Sequence, residues 1–89
     1  MSDELTFETL TIERMRADIA KVLHEAPEDI GDDDNLIDLG VDSLRALNLS
    51  LAWSEAVPLD FSELAEHVTL AGWWAVVERR IAAQRAANG

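Results

Sequence analysis

Residues 42–55, DSLRALNLSLAWSE, decide the fold, because their spacing predicts a single helix with two apolar stripes. Each stripe repeats at i, i+3 and i+7: Ala46, Leu49 and Trp53 form one, and Leu44, Leu47 and Leu51 form the other. Residues two apart on a helix differ by about 200°, so the stripes lie on nearly opposite faces. A helix at the surface of a small bundle needs only one apolar face. The segment is therefore either a central helix buried on all sides or a helix that keeps one stripe for a partner protein.

Helical periodicity continues on both sides of this segment. Upstream, a helix is predicted from Thr9 or Thr11 to about Glu25. Downstream, residues 60–65 predict a short helix, and Thr69 begins a last one. The first and last helices each place their apolar residues on one side: Ile12, Met15, Ile19, Val22 and Leu23 in the first, and Leu70, Trp73, Trp74, Val77 and Ile81 in the last. Because no segment alternates like a strand, the predicted fold class is all-α, a small bundle of three main helices plus one short helix.

The connection before the central helix, residues 26–42, shows neither helical nor strand periodicity. Connections of this length in a compact domain are usually functional or disordered. Four apolar residues within it predict a loop pinned to the core: Ile30, Leu36, Ile37 and Leu39. Asp32-Asp33-Asp34 lacks the ligand spacing of a calcium loop and is interpreted as a solvated turn, so no metal is expected.

Composition limits the function classes. Eighty-nine residues with 48% hydrophobic content fit one domain, predicted as a flexible leader at 1–8, a domain at 9–86 and a tail at 87–89. There is no cysteine, no apolar run near the ~20 residues that span a bilayer, and an acidic Met1–Glu4 start, so a cytoplasmic monomer is expected. Seven basic and eighteen acidic residues give a net charge of −11. That charge disfavours nucleic acid and anionic membranes; it suits either basic patches on partner proteins or simple solubility.

Ser43 begins the central helix and admits two interpretations. A serine at this position is typical of an N-cap, and under that interpretation Ser43→Ala would cost about 1 kcal/mol. The first-turn amides and the helix dipole also favour an attached anion there. The two histidines, His24 and His67, lie near predicted helix ends away from Ser43 in sequence and are predicted to be surface residues. Without a base beside the serine or room for a pocket, a hydrolase is strongly disfavoured and no catalytic residue is expected.

The segment 35–45, NLIDLGVDSLR, resembles the phosphopantetheine attachment motif of carrier proteins, whose core is G-x-D-S-L. Within that superfamily the chain is most similar to aryl carrier domains of bacterial nonribosomal peptide and siderophore synthesis. The lead-in DDDNLIDLGVDS at 32–43 carries this closer similarity. So do DFSELA at 60–65 and TLAGWW at 69–74, where the family has D-F-x-x-L-A and T-x-x-x-W-W. The resemblance covers roughly residues 10–82.

The resemblance implies an acyl carrier protein-like fold and a covalent 4'-phosphopantetheine on Ser43, with Asp42 and Leu44 flanking it in the motif. A phosphopantetheinyl transferase would attach the arm from coenzyme A, an adenylation enzyme would load it, and a condensation or tailoring enzyme would take the acyl group. The carrier itself would catalyse nothing. The partner-docking residues implied are Leu47, Phe61 and Ala65. That assignment turns the Leu44, Leu47 and Leu51 stripe outward.

Departures from related families narrow the resemblance. Peptidyl carriers usually have G-G-x-S, whereas residues 40–43 read GVDS. Fatty-acid and polyketide carriers usually have an acidic second helix, but here Arg45 is followed by acid only at Glu55. Both favour the aryl type. Aryl carriers are often fused to an isochorismatase domain, which is missing here, so a free-standing carrier is expected and the cargo is an aryl or an amino acid. The alternatives are an acyl carrier protein for a polyketide or fatty-acid pathway and an unmodified acidic helical adaptor.

Overall fold

Five helices and one 3₁₀ turn follow one another in a computed structural model, which describes residues 5–88. They are α1 (Ile12–Leu23), the 3₁₀ turn (Pro27–Asp29), α2 (Leu36–Leu39), α3 (Ser43–Trp53), α4 (Phe61–Leu64) and α5 (Leu70–Asn88). Those residues contain no strand, which confirms the all-α class with three main helices. Helix α1 packs against α3 and α5, and α4 packs against the same two helices. The radius of gyration is 12.6 Å, close to the about 12 Å expected for a compact chain of this length.

Short polar side chains set the helix starts. The Thr11 hydroxyl accepts a hydrogen bond from the backbone N–H of Arg14 at 3.1 Å, so Thr11 is the cap of α1. Thr69 Oγ1 likewise accepts from Gly72 N at 3.0 Å, as predicted for the last helix. Helix α1 ends slightly earlier than expected, at His24, whose φ of 58° lies in the left-handed region. The backbone N–H of His24 then bonds the carbonyls of the last turn.

The core lies between α1, α3 and α5. Its buried apolar residues come from every element except the 3₁₀ turn and from the connections between them: Leu10, Met15, Ile19, Ala20, Ile30, Leu36, Val41, Leu49, Trp53, Val57, Leu64, Leu70, Trp73, Val76, Val77 and Ile81. The two stripes of α3 separate as the resemblance implied. Leu49 and Trp53 are buried with Ala46 packed against them, whereas the other stripe is open to solvent. The alternative of a helix buried on all sides is therefore wrong.

The connection at 26–42 contains more structure than its pattern predicted, namely the 3₁₀ turn and α2. Ile30 and Leu36 are in the core as expected. The prediction is wrong for Ile37 and Leu39, which are 61% and 38% exposed, because the single turn of α2 directs only Leu36 inward.

Arg16 ties this connection to α1. Its guanidinium donates to the Ile30 carbonyl at 2.5 Å and to the Asp32 carboxylate. The bond to Asp32, together with that to Glu13, raises the pKa of Arg16 above its ordinary value. The Asp32 carbonyl accepts from Ala71 N at 3.0 Å, which joins the connection to α5 as well. Asp32, within the acidic run, therefore bonds to both α1 and α5.

The boundaries at 1–8, 9–86 and 87–89 stay predictions. Residues 1–4 lie outside the described residues. Leu5 and Phe7, within the predicted leader, are half-buried against the core, and α5 continues through residue 88 into the predicted tail. None of the described helices has the length and apolarity that a membrane-spanning segment requires.

Two tryptophans join the helices. The rings of Trp53 and Trp73 meet edge to face, with centroids 5.9 Å apart and planes at 70°. Trp53 Nε1 donates to Asp18 Oδ2 at 2.9 Å, linking α3 to α1. Trp73 Nε1 donates to the carbonyls of Leu64 and His67, both at 3.0 Å. Trp73 therefore fixes α4 and the turn after it, while its half-buried neighbour Trp74 flanks the core, the arrangement expected for adjacent residues on an amphipathic helix.

Replacing Trp73 by Phe should destabilise the domain by about 2–3 kcal/mol, because ring volume is lost and two carbonyls lose their donor. Trp74→Phe removes the same atoms from a half-buried ring that is not a donor to α4, and should cost less than about 1 kcal/mol. Urea unfolding measures both. Equal losses in the two variants would contradict a special role for the Trp73 N–H.

Candidate functional site

Ser43 is placed by a tight loop that ends α2. Gly40 has φ 119°, a conformation that side chains rarely adopt, and a Cβ there would lie 3.2 Å from the Leu23 side chain. The next residue, Val41, is buried, and its N–H donates to the Leu36 carbonyl at 2.9 Å. Arg45 reaches back from α3 and donates to the Gly40 carbonyl at 2.9 Å. The backbone immediately before Ser43 is therefore fixed on both sides.

Asp42, and not Ser43, caps α3. Asp42 Oδ1 accepts from Arg45 N at 2.9 Å, and Asp42 has extended backbone angles. Ser43 is the first helical residue, and its exposed hydroxyl makes no hydrogen bond within residues 5–88. The interpretation of Ser43 as an N-cap is therefore wrong. The hydroxyl is free for chemistry at the positive end of the α3 dipole.

A groove of about 110 Å³ opens beside Ser43. The first turn of α3 forms one wall with Ser43 and Ala46, and α4 with the turn after it forms the other with Phe61, Ala65 and His67. The two walls come from segments about twenty residues apart. Trp73 helps to form the groove, because its bonds to the Leu64 and His67 carbonyls hold α4 and the turn after it against the core.

The predicted docking residues surround this groove but are not equivalent. Phe61 is half-buried and Ala65 is exposed, and both line the groove with Ser43. Leu47 does not line it; its side chain is 37% exposed on the outer face of α3. The structure therefore brings Phe61 and Ala65 to Ser43 and leaves Leu47 on an adjoining face.

Sequence reasoning missed three residues that line the groove: Ile37, His67 and Val68. The prediction that both histidines are surface residues holds for His24, which is exposed, but His67 is half-buried in the groove wall. The segment that contains Ile37 and the turn that contains His67 and Val68 are joined by the hydrogen bond from Leu36 N to the Val68 carbonyl, 2.7 Å long. Neither loop has a periodic pattern, so the sequence contained no signal for this pairing.

The exposed face of α3 is apolar. Leu44, Leu47 and Leu51 are 66%, 37% and 59% exposed. Arg45 is the single charged residue within Ser43–Trp53, although the whole chain carries a net charge of −11. An uncharged leucine face on an otherwise acidic domain is typical of a surface that a partner covers.

Helix α4 is positioned by its own cap. Asp60 Oδ1 accepts from Ser62 N at 3.0 Å and from Ser62 Oγ at 2.8 Å. These two bonds lower the pKa of Asp60 below its ordinary value. Glu63 also pairs with Arg80 of α5. The cap and the ion pair keep Phe61 at the groove.

The site has little that resembles hydrolytic machinery. The Asp42 carboxylate is occupied in capping α3, and no hydrogen bond in the described part of the chain joins a histidine to Ser43. The same residues contain no cluster of His, Cys, Asp or Glu able to hold a metal ion. What the arrangement offers is an exposed hydroxyl beside a small apolar groove.

Comparison with known proteins identifies the family. Residues 13–77 match the family model described as phosphopantetheine attachment site. The chain belongs to this family of carrier domains. It is 35% identical over 72 residues to the acyl carrier protein ScoB of Streptomyces coeruleorubidus, covering 80% of this chain and 85% of that protein.

Longer relatives match over only part of their length. Identity is 41% over 71 residues with an isochorismatase of Bacillus subtilis, and 38% over 68 residues with enterobactin synthase component B of Escherichia coli. These matches cover 79% and 75% of this chain, but the chain spans only 23% and 24% of those proteins. No solved structure is significantly similar to the chain.

The cofactor of this family is 4'-phosphopantetheine, and the residues present fit it. Attachment needs a serine hydroxyl that is accessible and not engaged elsewhere, which Ser43 provides. The N-terminus of an 11-residue helix is also a favourable environment for the negative charge of a phosphodiester.

Replacing Asp42 and Ser43 one at a time by Ala should show which of the two side chains stabilises the start of α3. Asp42→Ala removes the acceptor for Arg45 N and should cost about 1 kcal/mol. Ser43→Ala removes an exposed hydroxyl without a hydrogen bond and should change stability by less than about 0.5 kcal/mol. Thermal or urea unfolding of the two unmodified variants distinguishes them. A larger loss for Ser43→Ala than for Asp42→Ala would show that the serine is the cap after all.

Proposed function

We propose that this chain carries aryl or aminoacyl groups as thioesters on a phosphopantetheine arm attached to Ser43. It would present them to adenylation and condensation or tailoring enzymes of nonribosomal peptide or siderophore-type biosynthesis. The observation that carries the proposal is the free, exposed hydroxyl of Ser43 at the start of α3, inside the segment that matches the carrier family.

Ser43 is a substrate in the attachment step. Its Oγ attacks the phosphorus that bears pantetheine in coenzyme A, a new P–O bond forms, and adenosine 3',5'-bisphosphate leaves. The hydroxyl proton passes to a base of the phosphopantetheinyl transferase, because no side chain among residues 5–88 accepts a hydrogen bond from Ser43. Once attached, the arm supplies the thiol on which the acyl group is held. We propose that the chain itself is not catalytic.

The aryl assignment is supported by two observations. Relatives of this chain include an isochorismatase and an enterobactin synthase component. Helix α3 also lacks the acidic residues usual in fatty-acid carriers, since its single charged residue is Arg45. The second candidate, an acyl carrier of a polyketide or fatty-acid pathway, is supported by ScoB, the similar protein that this chain matches over 85% of its length. Loading by aryl, aminoacyl and acyl donors would separate them.

We propose Leu47, Phe61 and Ala65 as the partner-docking residues, with Asp42 and Leu44 flanking the attachment point. The exposed leucine face of α3 would meet an apolar surface on the partner enzyme, and the acidic remainder of the domain would steer encounters with basic rims. A monomer would leave this face open to successive enzymes. We place the reaction in the cytoplasm, where coenzyme A and the adenylation enzyme would act.

Incubation with coenzyme A, magnesium and a broad-specificity phosphopantetheinyl transferase should add one phosphopantetheinyl mass to the protein, measured by intact-protein mass spectrometry. Ser43→Ala should show no gain. Ser62→Ala is the matched control, because it removes an exposed serine on α4 and should be modified like the wild type. A folded wild-type protein that gains no mass would overturn the carrier proposal and favour the unmodified adaptor.

Leu47→Asp should slow acyl transfer to or from partner enzymes by about tenfold or more, since it places a charge in the apolar contact. Asn48→Asp introduces the same charge at the next exposed position of α3, outside the leucine stripe, and should have little effect. Loading rates measured at several carrier concentrations, together with melting temperatures, make the comparison. If both variants slow transfer equally, added charge rather than Leu47 contact is responsible.

Phe61→Asp is a less clean probe than Leu47→Asp. Because Phe61 is half-buried in the groove wall, its replacement should reduce both transfer and stability.

A further inference from the structure

His67 is held with its side chain in the groove that Ser43 opens into. The backbone N–H of His67 donates to the Leu64 carbonyl at 2.9 Å, and the backbone carbonyl of His67 accepts from Trp73 Nε1 at 3.0 Å. The imidazole is pressed against Gly72 of α5, where an added Cβ would lie 2.8 Å from His67 Cβ and 2.9 Å from Nδ1. The backbone and one side of the ring are thus fixed. The proposed function gives this residue no role.

The groove is small and mostly apolar, which limits what it can receive. Its volume of about 110 Å³ is well below the roughly 300 Å³ at which pockets for drug-sized ligands begin. It could therefore take only the part of an arm nearest to Ser43, and the thiol end would remain outside. Among its lining residues, Asp42 and His67 are the ionisable side chains.

These two side chains are not equivalent toward a phosphodiester on Ser43. The Asp42 carboxylate repels that anion and already accepts the hydrogen bond from Arg45 N. An imidazole has a ring N–H that can donate to a phosphate oxygen in either protonation state. The ring of His67 makes no hydrogen bond within the described residues, so this donor is available.

We infer that His67 is a positioning residue for the arm, donating a ring N–H hydrogen bond to the phosphodiester attached to Ser43. The inference rests on the proposed attachment at Ser43. Its consequence is that the base of the arm lies in the groove between α3 and α4, directed away from the Leu44, Leu47 and Leu51 face. The partner-binding face and the arm then remain accessible at the same time.

The test compares the unmodified and phosphopantetheinylated wild-type protein by nuclear magnetic resonance. The imidazole ¹⁵N and ¹H resonances of His67 should shift on modification, whereas those of His24, exposed at the end of α1, should stay unchanged. This comparison needs no substitution, so it does not depend on the folding of a variant. Unchanged His67 resonances in a fully modified sample would overturn the inference.

Variants then identify the hydrogen bond. The ³¹P resonance of the phosphodiester should move in His67→Ala and return toward the wild-type position in His67→Gln, which keeps an N–H donor. His24→Gln is the matched control, because it removes an exposed imidazole that lies outside the groove, and it should leave the ³¹P resonance in place. A ³¹P resonance that moves equally in His24→Gln and His67→Ala would overturn the inference.

The outcomes separate the two proposals. Absence of the phosphopantetheinyl mass on Ser43 would overturn the proposed function and this inference together. Complete modification with no response of His67 would overturn only the inference.

Discussion

The bifurcated hydrogen bond from Trp73 Nε1 to the carbonyls of Leu64 and His67 is the contact on which the site depends. Helix α4 has only four residues and cannot be stable by itself, since isolated helices of fewer than about 12 residues are marginal in water. The buried ring of Trp73, packed on Trp53, supplies a donor at the place where α4 ends. This donor joins α4, which forms one wall of the groove, to the core between the long helices.

A second constraint acts on the opposite side of Ser43. The connection from α1 to α3 is acidic, and Arg16 of α1 holds it against the helix by donating hydrogen bonds to the Ile30 carbonyl and to Asp32. Gly40 then ends α2 in a left-handed conformation just before α3 begins. Together these contacts hold the backbone that precedes Ser43, whose side chain is exposed.

Much of this arrangement could be predicted from the sequence. The i, i+3, i+7 repeats of α1, α3 and α5 located the long helices, because helical burial follows a regular period. The family resemblance identified the outward stripe of α3, and the exposure of Leu44 and Leu51 agrees with it. The attachment and docking assignments themselves remain predictions about encounters with other proteins.

The features that escaped prediction are those without a period. A single turn such as α2 gave no signal that separates buried Leu36 from exposed Ile37. His67 lines the same groove as Ser43, and the turn that carries it is joined to α2 by the hydrogen bond from Leu36 N to the Val68 carbonyl, a pairing that no local pattern encodes. The N-cap was assigned one residue too late, because Asp and Ser are both good caps and only the backbone angles distinguish Asp42 from Ser43.

The cap of α3 and the exposed hydroxyl thus belong to neighbouring residues, Asp42 and Ser43, so selection for stability and selection for modification would act on different positions. Asp42 caps the helix whether or not the protein is ever modified, whereas Ser43 should contribute little to folding, because its exposed hydroxyl makes no hydrogen bond within residues 5–88. In a lineage that lost its modifying enzyme, the serine would be free to drift while the aspartate and the fold persisted. Descendants of such a lineage would retain the shape of a carrier without its function, and the residue after the capping aspartate would record the loss.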